Sequence, residues 1–353
     1  MPIAASPCVG TDVSFKIGLM MTTVSVLLPV RNAERFVEEA IASVLTQSLG
    51  DFKIIAVLDH SSDASGDILE RLASDDARIR VLQCEGEGLV DALNTAAKAA
   101  TGDLLARLDA DDRMRPGRLE EQVDFLEHHP DVVAVGSAAV EIDARSRVTG
   151  MMKVPTADAA LRARLMRANP FIHSSMMIRR GTFEAAGGYR DDFPLVEDFD
   201  LWLRLAARGR LANIASPLTD YRRNDTGLSA SRAAEQRLNL QRCILAWKRD
   251  AGLLDEAKHT ALSARLAALF ARAQDLDGQP ERMTGDDLAL FTELLEHLPS
   301  VEARTLARLV SAAASAGKVS AAQSALFAFR ARVTSRAAFA RRCADAVKAL
   351  QVR

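Results

Sequence analysis

The sequence predicts an α/β fold: a mostly parallel sheet with flanking helices, followed by a helical C-terminal region. Two observations predict it. Between residue 24 and about residue 135, short apolar runs alternate with stretches whose apolar residues recur at helical spacing. The runs are nearly continuous rather than alternating, as in strands buried on both faces by crossover helices.

The elements follow in order. "TVSVLLPV" (23–30) is the first strand, and Val37, Ile41, Val44 and Leu45 mark the helix after it. "FKIIAVLD" (52–59) precedes a helix carrying Ile68, Leu69 and Leu72. "IRVLQ" (79–83) leads into "GLVDALNTAAKAA" (88–100), and "GDLLARLD" (102–109) into "GRLEEQVDFLEHH" (117–129). "DVVAVG" (131–136) is the fifth strand. From 136 to 229 the signal is mixed: "AAVEID" and "SSMMIRR" read as strands, and "DFDLWLRLAAR" as a helix. From about 230 the chain is alanine-rich and helical. Leu262, Leu266, Leu269 and Phe270 share one face, and Leu288, Phe291, Leu295 and Leu298 another. This gives three expected segments: a leader over 1–22, a domain over 23–229 and a helical region over 230–353 serving packing, acceptor positioning or homodimerisation.

A chain of 353 residues with 48% hydrophobic content can build a sizeable core, and a net charge of -2 argues against a nucleic-acid binder. Cys8, Cys84, Cys243 and Cys343 are too scattered for a metal-ligand spacing or a disulfide framework, so a reducing compartment is the default. The apolar stretch from Ile17 to Val30 is interrupted by Thr22, Thr23, Ser25 and Pro29 and falls short of the ~20 residues of a membrane span. It also lacks a cleavage pattern, and Met20 and Met21 offer a second start next to the first strand. The expectation is a cytoplasmic protein with at most peripheral contact at the inner membrane face.

In an open parallel sheet, ligands bind outside the carboxyl ends of the strands. Three polar clusters fall there: "PVRNAE", "DHSSD" and "DADDRMRP". Side chains two apart in extended backbone point the same way, so Asp109 and Asp111 are expected to face one site and Asp112 to point elsewhere, shaping the turn before Pro116. Two convergent carboxylates suit Mg2+ or Mn2+, although a solvated acidic turn has the same sequence. Asp59 is either a turn residue or an acceptor for a nucleotide base or ribose. Glu197, Asp198 and Asp200 open a helix, where they complement its dipole; a carboxylate there could also serve as a general base. Asp200 is assigned to the dipole alone.

Taken in order, "SVLLPVRNAERFVEEAIASVLTQSLGDFKIIAVLDHSSD", "GLVDALNTAAKAATGDLLARLDADDRMRPGRLEEQVDFLEHHPDVVAVGS", "HSSMMIRR", "AGGYR" and "VEDFDLWLRLAARG" resemble the family 2 glycosyltransferases over roughly residues 23–225. The resemblance implies the GT-A fold, an inverting mechanism, a nucleotide-sugar donor (commonly UDP-linked), a Mn2+ or Mg2+ ion and a glycan or lipid-linked acceptor. It implies that Asp109 and Asp111 are the DxD pair, with Asp111 on the metal and Asp109 at the ribose or metal. Asp59 matches the second aspartate of the "DDGS" turn, Pro29 and Arg31 stand near the base, and Asp198 matches the catalytic base of the "ED" pair. Leu58 and His60 replace the first aspartate and the glycine of "DDGS", and Asn224 stands where a histidine is common. Two other readings compete. A sugar nucleotidyltransferase should carry a Gly-rich phosphate loop after the first strand, which "PVRNAE" lacks. A non-catalytic nucleotide-sugar-binding protein would have no need of Asp59, Asp109, Asp111 and Asp198 together.

Overall fold

The computed structural model describes residues 22–166, 168–223 and 232–275. Residues 1–21 of the expected leader, Cys8, Cys343, Asn224 and the face of Leu288, Phe291, Leu295 and Leu298 lie outside the described residues, as do the side chains of Leu269 and Phe270.

Strands β1 (Val24–Val30), β2 (Phe52–Leu58), β3 (Ile79–Gln83) and β4 (Leu104–Arg107) lie in the order β3-β2-β1-β4, every pair parallel. The apolar runs require this, because alternate residues of one strand bury against helices on opposite faces. Val26 and Leu28 of β1 pack with Ile41 and Val44 of α1 (Val37–Leu45) and Leu69 of α2 (Ser65–Asp75). Leu27 packs with Ala92, Leu93 and Ala96 of α3 (Leu89–Ala99). Burying each such large apolar side chain contributes about 1.5–3 kcal/mol.

Beyond β4 the sheet becomes mixed. It continues β8 (Met177–Arg179), β6 (Val132–Ile142), β9 (Arg210–Arg222) and the two-residue β5 (Arg113–Met114), while β7 (Val148–Met152) pairs with the outer half of β6. Helices α4 (Arg118–His128), α5 (Asp158–Leu165), α6 (Arg180–Ala185) and α7 (Glu197–Ala206) complete this half. "DVVAVG" and "AAVEID", expected as two strands, form the single strand β6. Gly136 and Ser137 look like a break in the sequence but serve a close approach. A Cβ on Gly136 would stand 2.3 Å from Asn213 Oδ1 and 2.7 Å from Met176 Sδ, and the Ser137 amide donates to Ser175 Oγ at 3.1 Å.

The described part of the C-terminal region is two helices, α8 (Ala233–Asp250) and α9 (Glu256–Asp275). Cys243 and Ile244 of α8 join the cluster containing Trp202 and Leu205 of α7. Leu262 and Leu266 of α9 are both buried, on the face the sequence marks. No helix among the described residues is long and apolar enough to cross a membrane.

Candidate active site

The loops after β1 and β2 are stitched together. The Asn32 amide donates to Ser61 Oγ (3.0 Å), Ala33 N to Ser65 Oγ (2.8 Å) and Glu34 N to Asp63 Oδ2 (3.0 Å), while Ser62 N donates back to Asn32 Oδ1 (2.9 Å). His60, at the position of the family's glycine, has φ 46°, the left-handed region that glycine adopts without strain.

Asp59 is buried at the end of β2. Its carboxylate accepts from the Gly88 amide at 3.2 Å, from Arg31 Nη1 at 3.3 Å and lies 3.1 Å from His60 Nδ1. Burial alone would raise its pKa, but His60, the Gly88 amide and Arg31 outweigh it and hold the carboxyl below its ordinary value. Arg31 also reaches Glu87 at 3.1 Å, so its guanidinium bridges two carboxylates beside this pocket. Pro29 is buried within β1, opposite Val57.

After β4 the chain turns sharply, with the Asp112 amide donating to Asp109 O at 3.2 Å. This turn overrides the extended-strand alternation and corrects the expectation for Asp112. Carboxylate oxygens of Asp109, Asp111 and Asp112 all lie within 4.8 Å of one another. Asp112 is buried; its Oδ1 accepts from the Arg222 amide at 2.7 Å, and its Oδ2 has no hydrogen-bond partner. Burial first, and then repulsion from Asp109, pushes Asp111 up to about 6, and burial, then Asp109 and Asp111, raises Asp112 well above its ordinary value. Three hard oxygen donors this close together, whose mutual repulsion a cation would relieve, fit a divalent ion such as Mn2+ or Mg2+. Beside this cluster, Arg222 donates from Nε to Asp111 O at 2.7 Å and also lines a cavity of about 270 Å³ with Asn32, Glu34, Phe36 and Asp63.

Sequence reading passed over Arg107, the guanidinium that joins this cluster to the next. It is buried in β4 and ion-paired with Asp109. Its charge acts on Asp111, Glu197 and Asp198, and it helps keep His173 neutral, after burial as the main cause. A lone arginine inside an apolar strand was the available signal, since such a charge needs a buried partner. His173, from a 3₁₀ turn over His173–Ser175, shares a 2.8 Å hydrogen bond with the Tyr189 hydroxyl.

Asp198 and Glu197 sit on the first turn of α7. Asp198 accepts from Asn169 Nδ2 and from the Phe199 amide, each at 2.6 Å. Burial pushes Glu197 up to about 7, with repulsion from Asp198 adding to it. Asp200 does more than complement the dipole: it is buried and ion-paired with Arg190 and Arg204, fixing α7 against the preceding loop. That loop turns through Leu195 at φ 68°. From α8, Gln236 Nε2 donates to Leu195 O (3.1 Å) and Asn239 Nδ2 to Pro194 O (3.0 Å), so the C-terminal region supports the turn that presents Glu197 and Asp198.

A carboxyl whose pKa folding has raised costs stability while ionised. Glu197 therefore costs most above about pH 7, and the cost is relieved as pH falls through 7 toward its ordinary value near 4.5. Glu197→Gln is expected to raise the melting temperature more at pH 8 than at pH 5. Equal gains at the two pH values would contradict this account of Glu197.

The chain is similar to known proteins over the same segment. Residues 25–186 match the model of the family described as Glycosyl transferase family 2. Bacillus subtilis EpsE, whose name assigns it as a glycosyltransferase, is 34% identical over 190 residues, 53% of this chain and 67% of EpsE. The amylovoran biosynthesis glycosyltransferase AmsE of Erwinia amylovora is 29% identical over 202 residues, 56% of this chain and 75% of AmsE. The chain likewise matches 65% of the length of an uncharacterized glycosyltransferase of Haemophilus influenzae, at 28% identity. The crystal structure of S. aureus TarS 1–349 in complex with UDP-GlcNAc superposes with a TM-score of 0.56 at 17% identity, covering 82% of this chain and 83% of that one, which shows a shared GT-A fold. With a third of EpsE's residues kept across two thirds of that protein, and the family pattern running through all three strand-end clusters, the chain belongs to glycosyl transferase family 2.

Proposed function

We propose that the chain is an inverting glycosyltransferase that moves a sugar from a UDP-linked donor to an acceptor hydroxyl, on a glycan or a lipid-linked saccharide, in polysaccharide synthesis. One observation carries this reading: Arg107 electrostatically joins an acidic cluster suited to a divalent cation and a separate, hydrogen-bonded carboxylate on α7. The fold neighbour holding UDP-GlcNAc supports the donor class, and the name of AmsE supports polysaccharide synthesis.

Asp59 and Arg31 would receive the nucleotide base between the β1 and β2 loops, next to Pro29. Asp111, Asp109 and Asp112 would hold Mn2+ or Mg2+. Such an ion, when bound, neutralises charge on a departing diphosphate. Asp198 accepts the proton of the acceptor hydroxyl, which attacks the anomeric carbon from the face opposite the leaving group. One displacement inverts configuration, through a transition state of oxocarbenium character like that of glycoside hydrolysis. Arg107, ion-paired with Asp109, favours the ionised form of Asp198 across the site.

Incubating the protein and Mn2+ with UDP-sugars and a mixed pool of saccharide acceptors tests the reading. Acceptor-dependent release of UDP is expected. Release of pyrophosphate in a parallel incubation with UTP and a sugar 1-phosphate would indicate nucleotidyl transfer, and binding without release in either would indicate a non-catalytic binder.

A further inference from the structure

We infer that Asn169 is the positioning residue of Asp198, fixing its carboxylate in one orientation as a hydrogen-bond acceptor. The inference rests on the reading of Asp198 as the base. An asparagine amide can present either its oxygen or its nitrogen to a neighbour, and the surroundings decide which. Here the Phe171 amide donates to Asn169 Oδ1 at 3.1 Å, so that end must be the oxygen. Nδ2 is left facing Asp198 Oδ2 at 2.6 Å, where it can only donate. A donor in that place favours the ionised carboxylate, the form that takes a proton.

The loop bearing Asn169 is held from two sides. Asn213 Nδ2 on β9 donates to Pro170 O at 3.3 Å and to Pro155 O at 2.9 Å. The buried Phe171 ring stands 5.5 Å from the Trp202 indole of α7. The amide is therefore fixed relative to β9 and relative to the helix carrying Asp198.

Other groups act on Asp198 as well. Burial raises its pKa, and Asn169 is the largest influence opposing that, ahead of the Phe199 amide, Arg107 on β4 and the Trp202 side chain. Glu197 on the same helix repels it, and the Tyr189 hydroxyl and the Cys243 thiol of α8 lie within its field. Of these, Asn169 can be changed without adding or removing a charge.

The test is a pH titration by NMR of the protein labelled with 13C at the aspartate carboxyls, the Asp198 signal being identified by its loss in Asp198→Asn. In Asn169→Ala the signal is expected to titrate about one pH unit higher, the effect of losing one hydrogen bond to a charged group. Asn169→Asp keeps the shape and the acceptor for Phe171 but cannot donate when ionised, so it should raise the titration at least as far. Asn169→Gln, which keeps the donor, should restore part of the shift. Unchanged titration of Asp198 in folded Asn169→Ala and Asn169→Asp would overturn the inference. The reading of Asp198 as base fails separately, if Asp198→Asn still releases UDP from donor and acceptor at the wild-type rate.

Discussion

Asp198→Asn is expected to lower sugar transfer by about 10²–10⁴-fold, the range for loss of a positioned acid or base, while leaving donor binding unchanged. The substitution keeps the volume of the side chain and its place at the start of α7, but an amide cannot take the acceptor's proton. Among the described residues no hydrogen bond ties Asp198 to the acidic cluster or to Asp59; its close donors there are Asn169 and the Phe199 amide. The loss should therefore fall on kcat and leave the donor KM in place. Wild-type turnover in this variant would remove Asp198 from the chemistry.

Asp111→Ala is expected to weaken Mn2+-dependent UDP binding by more than the roughly 10–100-fold that loss of an outer-shell partner costs a metal site. Asp111 is only partly buried, and its pKa is raised to about 6 by burial and by Asp109, which Arg107 and Arg222 offset only in part. Removing it relieves repulsion within the cluster. Fold stability without metal should hold or improve while metal-dependent binding falls, and this pairing separates a ligand from a structural carboxylate. Calorimetry of UDP with and without Mn2+ reads it, and equal affinities in wild type and variant would sink the assignment.

The parallel half of the sheet was legible because β1, β2 and β4 are buried on both faces and say so by continuous apolar sequence. The mixed half was less legible. Gly136 and Ser137 look like punctuation, and only the neighbouring Asn213, Met176 and Ser175 reveal that β6 runs straight through. The aspartates of the candidate site were visible as residue types at strand ends. Their grouping was only partly visible, because strand alternation separates Asp112 from its neighbours and the turn after β4 brings it back. Arg107 pairs with its near neighbour Asp109 but also acts on Glu197 and Asp198 far along the chain, and Asn169 is 29 residues from Asp198. No local spacing encodes that contact.

On the proposed reading, the strand ends carrying Asp59, Asp109 and Asp111 form a metal-dependent nucleotide-sugar site. The most direct measurement is a thermal-shift titration of the wild-type protein with UDP and UDP-GlcNAc, in Mn2+ and in a chelator. Stabilisation is expected to rise with ligand concentration in Mn2+ and to be largely lost in the chelator. No stabilisation by either nucleotide in Mn2+, or the same stabilisation in the chelator, would contradict that reading.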